Sequence, residues 1–99
     1  MRRRREVRVA DVFFDELDLQ LGAERGPDGK PSATDFLVID LPAIVERFSL
    51  GFDELSEVVA GLAAARMFIG TSALVRSYVV HGLEISEGLV ELVGIEIDR

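Results

Sequence analysis

Residues 66–97, RMFIGTSALVRSYVVHGLEISEGLVELVGIEI, hold three runs rich in Val, Ile, Phe and Tyr: Arg66 to Ile69, Leu74 to Ile85 and Leu89 to Ile97. β-Branched and aromatic side chains suit a pleated, half-buried surface, so each run reads as a strand. The separators Gly70-Thr71-Ser72-Ala73 and Ser86-Glu87-Gly88 have hairpin length and composition. The last third of the chain is therefore expected to be a three-stranded antiparallel meander. In its final run Leu89, Val93, Ile95 and Ile97 share one parity, and Val90 and Leu92 the other. Strand side chains alternate between faces, so this strand is expected to be apolar on both. That suits a central strand covered by helices on one side and by a partner or second layer on the other.

Toward the N-terminus, Val58 to Ala65 is too small and apolar to assign, and Asp53 to Glu57 reads as one helical turn or a loop. The segment before them is helical. Ser32 can cap its start while the Asp35 carboxylate reaches back, a capping box. Phe36, Leu37, Val38, Ile39 and Leu41 supply a broad apolar surface, continued by Ala43, Ile44, Val45 and Phe48, and Gly51 closes the run. Pro42 either kinks this helix or restarts it, because proline is tolerated only in a first turn. Gly22 to Pro31, GAERGPDGKP, has almost no apolar side chain and reads as an exposed loop; its glycines match no phosphate-binding spacing. Ahead of it Phe13, Phe14, Leu17 and Leu21 fall at helical spacing, with Asp11 as the expected N-cap and Gly22 as the stop. Leu17, Leu19 and Leu21 also alternate as a strand would. Glu6 to Ala10 places Val7 and Val9 against Glu6 and Arg8 with a period of two, the first strand.

The resulting order is strand, helix, helix and three-stranded meander, a single α+β domain over residues 1–99 with its helices on one sheet face. Phe13, Phe14, Leu17, Phe36, Val45, Phe48, Val79, Val93 and Ile95 are expected to supply much of the core. A length of 99 residues with 48% hydrophobic composition fits one packed domain and excludes a disordered tail.

Cysteine is absent and His81 is the one histidine. Disulfides, thiolate metal sites and a cysteine nucleophile are thereby excluded, no carboxylate spacing matches a ligand set, and no cofactor is expected. No apolar run approaches the roughly 20 residues of a membrane helix. The charged start at Arg2 to Arg5 is followed by Asp11, Asp15, Glu16 and Asp18 where a secretory leader would be apolar. A cytoplasmic protein without membrane association is expected. The formal net charge is −7, and without Arg2 to Arg5 the remainder carries seven basic against eighteen acidic residues, a net of −11. Such a body repels phosphate backbones. Residues 1–5 read as a flexible basic terminus, able to touch an acidic partner or nucleic acid but more simply solvated.

Arg66 enters the first meander strand, and Arg76-Ser77-Tyr78 lies in the second. With the order of elements, these residues give a chain that resembles the small bacterial toxins of the RelE/ParE superfamily, in which a strand, a helical pair and a meander form a sheet half-wrapped by an antitoxin. The resemblance spans most of the chain in order of elements and little of it in sequence. It implies a toxin–antitoxin setting and either of two activities, ribonuclease or binding of a protein target. Three departures bear on the nuclease: the body is acidic where that branch is basic, the sequence closes on Ile95-Glu96-Ile97-Asp98-Arg99 without a basic or aromatic tail, and only His81 could act as acid or base.

Each candidate residue also has a plain structural explanation. His81 can transfer protons near neutrality, or sit hydrogen-bonded on a strand. Arg76 and Tyr78 share a parity and could bind an anion, or form a cross-strand pair. Arg66 enters a strand, or simply snorkels at its end. The dense carboxylates Asp15, Glu16 and Asp18 form no defined acid/base dyad, because adjacent side chains on a helix go to different faces, and they read as a solvated face. Two function classes follow. One is a protein-binding domain acting on a partner chain or on its own copies through the meander, with Arg76 and Tyr78 as binding residues. The other is a toxin-like ribonuclease using Arg66, Arg76 and His81. A mimic of nucleic-acid charge would need a denser carboxylate surface.

Overall fold

The computed structural model describes residues 4–22, 32–72 and 75–98. Strand β1 (Glu6–Val9) is followed by helices α1 (Asp11–Leu21), α2 (Ala33–Ile39) and α3 (Leu41–Leu50), a 3-10 turn at Phe52–Glu54, and strands β2 (Ser56–Glu57), β3 (Ala65–Gly70), β4 (Ser77–Ser86) and β5 (Leu89–Asp98). The α+β class is thus observed, with more elements than the sequence reading gave. The five strands form one sheet in the order β1-β5-β4-β3-β2. β1 runs parallel to β5 and the remaining pairs are antiparallel. The meander is present as β3-β4-β5, lengthened by the two-residue β2 at one edge and completed by β1 at the other.

Local chemistry accounts for the helix ends. The Ser32 hydroxyl accepts from the Asp35 N–H at 3.1 Å, and the Ser32 N–H donates to Asp35 Oδ2 at 3.1 Å, the reciprocal box that satisfies two orphan donors of α2. Pro42 restarts rather than kinks: α2 stops at Ile39, Asp40 links the two helices, and Pro42 sits in the first turn of α3, where its missing N–H is harmless. Gly22 stops α1 at φ +81°, a conformation glycine adopts without strain. Asp11 lies inside the first turn of α1 rather than at its cap, which is Ala10. Its carboxylate still faces the positive end of the helix.

The helices cover one face of the sheet. Phe13 and Leu17 of α1, Phe36 of α2 and Ile44 and Phe48 of α3 are fully buried against Val80 of β4 and Val90, Leu92 and Ile95 of β5. Gly82 lets α3 approach, because a Cβ there would collide with the Phe48 ring. The register decides which β5 residues join this core. Gly82 pairs with Leu92 and His81 with Gly94, so Val93 is an extra residue on β5, a β-bulge. The bulge resets the alternation. Val90, Leu92, Ile95 and Ile97 all face the helices, so the parity set read from the sequence is split, with Leu89 left on the opposite face beside Glu6.

Other expectations change with the geometry. Phe14 is 36% exposed, because the buried stripe runs through Phe13, Leu17 and Leu21; it contributes only an edge-to-face contact with Phe13 at 6.0 Å. Val79 is half-buried away from the helices, Val93 is the half-buried bulge residue outside the core cluster, and Val45 packs at the core margin. Phe52, Leu55 and Tyr78, absent from the expected core, are buried in it. Arg5 is no frayed end: its Nε donates to Glu84 Oε2 at 2.7 Å, one terminal nitrogen lies 3.1 Å from Asp53 Oδ1, and its N–H donates to the Ser49 carbonyl. The expected loop at 22–31 lies, beyond Gly22, outside the described residues.

Helix α1 also seals a strand edge. β1 pairs with β5 only as far as Leu92, and beyond it Gln20 substitutes for a strand. Its side-chain amide donates to the Ile95 carbonyl at 2.8 Å, and its carbonyl accepts from the Ile97 N–H at 2.6 Å. An unpaired edge is thereby closed by one amide. Urea denaturation tests this packing. Phe48→Ala is expected to cost about 3–5 kcal/mol, and Phe14→Ala about 1 kcal/mol. Equal losses would contradict the orientation of α1.

Candidate functional site

The face of the sheet opposite the helices carries no element of the described chain. Alternation from the core positions assigns its outward residues: Ala65, Met67 and Ile69 on β3, Ser77, Val79, His81 and Leu83 on β4, Leu89, Glu91, Gly94, Glu96 and Asp98 on β5, and Glu6 and Arg8 on β1. This face divides lengthwise by chemistry. Ile69 is 61% exposed and Leu83 36%, with Met67 and Val79 half-buried between and beside them. The β3–β4 half is therefore apolar around the single imidazole. On the β5–β1 half four carboxylates, Glu6, Glu91, Glu96 and Asp98, stand against one guanidinium, Arg8. Arg8 is already committed to its register partner Glu91, Nε to Oε2 at 2.9 Å.

His81 lies on the border between the halves. Its Nε2 is 4.0 Å from Glu96 Oε2. Gly94, directly across from it, keeps that border narrow: a Cβ there would lie 3.1 Å from Glu16 Oε1 and 3.7 Å from His81 Cδ2. Glu16 thus reaches from α1 past the strand edge and adds to the acidic rim. The turn joining β2 to β3 is also apolar. Val58, Val59 and Leu62 are exposed there, and the turn is held to β4 by the Glu84 N–H donating to the Ala64 carbonyl at 2.8 Å.

The three residues of the nuclease reading are not gathered in one concavity. Arg66 pairs with Gly82 and so belongs to the helix side of the sheet. Its Nε donates to the Ala63 carbonyl at 2.7 Å and a terminal N–H to the Leu55 carbonyl at 2.8 Å, which pins the β2–β3 turn. His81 is on the opposite face. Arg76 is exposed just ahead of β4, five residues from His81, or about 16 Å along an extended chain. Tyr78 is buried in the core, with its ring centroid 5.4 Å from that of Phe36 and 6.1 Å from that of Phe68. Arg76 and Tyr78 do not share an exposed anion-binding surface.

Arg5, Asp53, Glu84 and Arg66 gather around Phe52 at one end of the domain. The Arg5 and Arg66 guanidinium carbons lie 4.8 and 5.6 Å from the Phe52 ring centroid. The hydrogen bond to Glu84, against the opposing effect of partial burial, raises the Arg5 pKa above its ordinary value, and the Glu84 and Asp53 charges add to the rise. A cleft of about 120 Å³, lined by Arg5, Leu50, Gly51, Asp53 and Glu54, adjoins this cluster. It falls short of the roughly 300–1,000 Å³ of small-molecule sites, and its cation is bonded to two carboxylates. The cluster ties β1, the 3-10 turn and β4 together. Among the described residues no group of three His, Asp or Glu side chains could hold a metal ion, and no helix is long and apolar enough to cross a membrane. Comparison with protein families, with curated proteins and with solved structures finds no match to this chain.

Sequence reasoning placed the second apolar face on β5, whereas the exposed aliphatic side chains belong to β3 and β4. The signal that locates them is the run Tyr78-Val79-Val80, apolar at consecutive positions, together with Met67 and Ile69 alternating against Arg66 and Phe68.

Burial pushes the Tyr78 pKa up, and the nearby Asp40 charge adds to it. Asp40 Oδ2 is itself buried with no hydrogen-bond partner. A folded-state pKa above the unfolded value, about 10, means that the folded chain holds the phenolic proton more tightly. Stability therefore falls as pH rises through the unfolded value. Tyr78 is the only tyrosine and tryptophan is absent, so absorbance at the tyrosinate band reads this group alone. Its titration midpoint is expected above that of the urea-unfolded chain. Coincident midpoints would contradict the burial of the hydroxyl.

Proposed function

We propose that this chain is a protein-binding domain that docks another chain on the open face of its meander, in the cytoplasm, where a chain without cysteine loses nothing to a reducing milieu. The observation that carries the reading is the row formed by Met67, Ile69, Val79 and Leu83, aliphatic side chains on adjacent strands of a face that no described element covers. Single exposed aliphatics are ordinary, but a contiguous apolar patch on a rigid sheet marks an interaction surface. The rest of the surface argues against phosphate ligands. A net charge of −7, with the carboxylates of β5 and β1 beside the patch, repels a nucleic-acid backbone.

The order of elements resembles that of the RelE/ParE toxins. Their protein-binding branch accords with this reading, although the proposal takes no residue from the resemblance. Arg66 is spent on backbone carbonyls, and Arg76 and His81 are too far apart to act on one phosphate.

Site-specific photocrosslinking in cells tests the proposal. A benzophenone side chain introduced at position 69 or 83 is expected to give one and the same protein adduct by mass spectrometry. The same group at position 38, where Val38 is more exposed but lies on α2, is expected to give none. Adducts from 38 alone, or none from 69 and 83, would contradict it.

A further inference from the structure

Resting on the reading of the open sheet face as a docking surface, we infer that its occupant is a cationic amphipathic segment of a partner protein, one side aliphatic and the other carrying Lys or Arg. The two halves of the face demand it. β3 and β4 present Met67, Ile69, Val79 and Leu83 with no fixed charge, while Glu6, Glu91, Glu96 and Asp98 stand on the adjacent strands. Neighbouring strands lie about 4.8 Å apart, so the apolar row of β4 and the acidic row of β5 lie within the width of a single helix, which is about 10–12 Å. One helix laid along the strands contacts both rows. Its aliphatic side removes Ile69 and Leu83 from water, and its basic side meets the carboxylates at the edge of the interface. There the charges stay partly hydrated and add steering and register more than bulk affinity.

A second copy of this chain is a poor occupant of the same surface. Two such faces related by a two-fold axis and stacked fully bring carboxylates against carboxylates, or carboxylates against the aliphatic row. In the first arrangement like charges repel, and in the second carboxylates lose water without gaining a partner. Arg8 offers no relief, because Glu91 already holds it.

Titration of the full chain with two synthetic helical peptides, one Leu/Lys and one Leu/Glu with the same apolar pattern, tests the inference by fluorescence anisotropy. The Leu/Lys peptide is expected to bind, more weakly as salt is raised, and the Leu/Glu peptide at least about tenfold more weakly. Two charge-reversal variants make the site specific. Glu96→Lys with Asp98→Lys is expected to weaken Leu/Lys binding about tenfold, whereas Asp15→Lys with Glu46→Lys, exposed positions on α1 and α3 carrying the same change in net charge, leaves it within about twofold. Equal effects of the two pairs would overturn the inference, since they would show attraction to net charge alone. If both peptides bind alike and Ile69→Asp abolishes both, the cationic occupant is wrong and the docking face stands. If Ile69→Asp affects neither, the docking face falls as well. A stable dimer by light scattering that Ile69→Asp converts to monomer would overturn the choice of occupant in favour of a second copy.

Discussion

Val93 has no register partner on β4. His81 faces Gly94 and Gly82 faces Leu92, so one surplus residue is accommodated between two regular stretches of β5. A strand tolerates this by bending locally, and the reward is a change of phase. Before the bulge the even-numbered residues Val90 and Leu92 point at the helices; after it the odd-numbered Ile95 and Ile97 do. Without the surplus residue in this numbering, Ile95 and Ile97 would leave the core and the carboxylates of Glu96 and Asp98 would enter it. Burial of those two charges would cost far more than the strain of one bulge. The division of the sheet into a closed apolar face and an open face with an acidic half depends on this position.

The closed face is then held at its margins by polar groups. Gln20 replaces the strand that β1 is too short to provide, which allows α1 to lie across the end of the sheet and brings Glu16 to Gly94. At the other end Arg5 and Arg66 bracket Phe52, and their hydrogen bonds fix the 3-10 turn and the β2–β3 connection. Among the described strand residues of the open face Arg8 is the one Arg or Lys, set against Glu6, Glu91, Glu96 and Asp98.

Much of the fold could be read from local patterns. The stripe through Phe13, Leu17 and Leu21, the box formed by Ser32 and Asp35, the stops at Gly22 and Gly51 and the three terminal strands depend on residues within a few positions of one another, and the structure has them all. What escaped depends on distant partners. β2 is two residues long and exists because β3 offers it an edge. Arg5 is ordered by Glu84 and Asp53, far along the chain, while its neighbours in sequence argue for a frayed end. Parity assigned Val79 and Val93 to the core, because a bulge leaves no mark in a hydrophobic pattern except that both parities are apolar. Of the candidate site, His81 was legible as an outward strand residue. The aliphatic row that surrounds it was not, since Met67 and Ile69 look like any half-buried strand until the cover on each face is known.

Thiol accessibility tests the central geometry most directly, because the chain has no cysteine of its own and a single introduced thiol reports one position. Leu92→Cys and Glu96→Cys are the decisive pair: they share sequence parity, and the bulge between them places Leu92 in the core and Glu96 on the open face. Under native conditions the thiol at 96 is predicted to react with a maleimide readily, and the thiol at 92 only through unfolding, at a rate that rises with urea. Equal native reactivity at the two positions, or protection of 96 with exposure of 92, would contradict the bulged register and with it the division of the sheet into a covered and an open face.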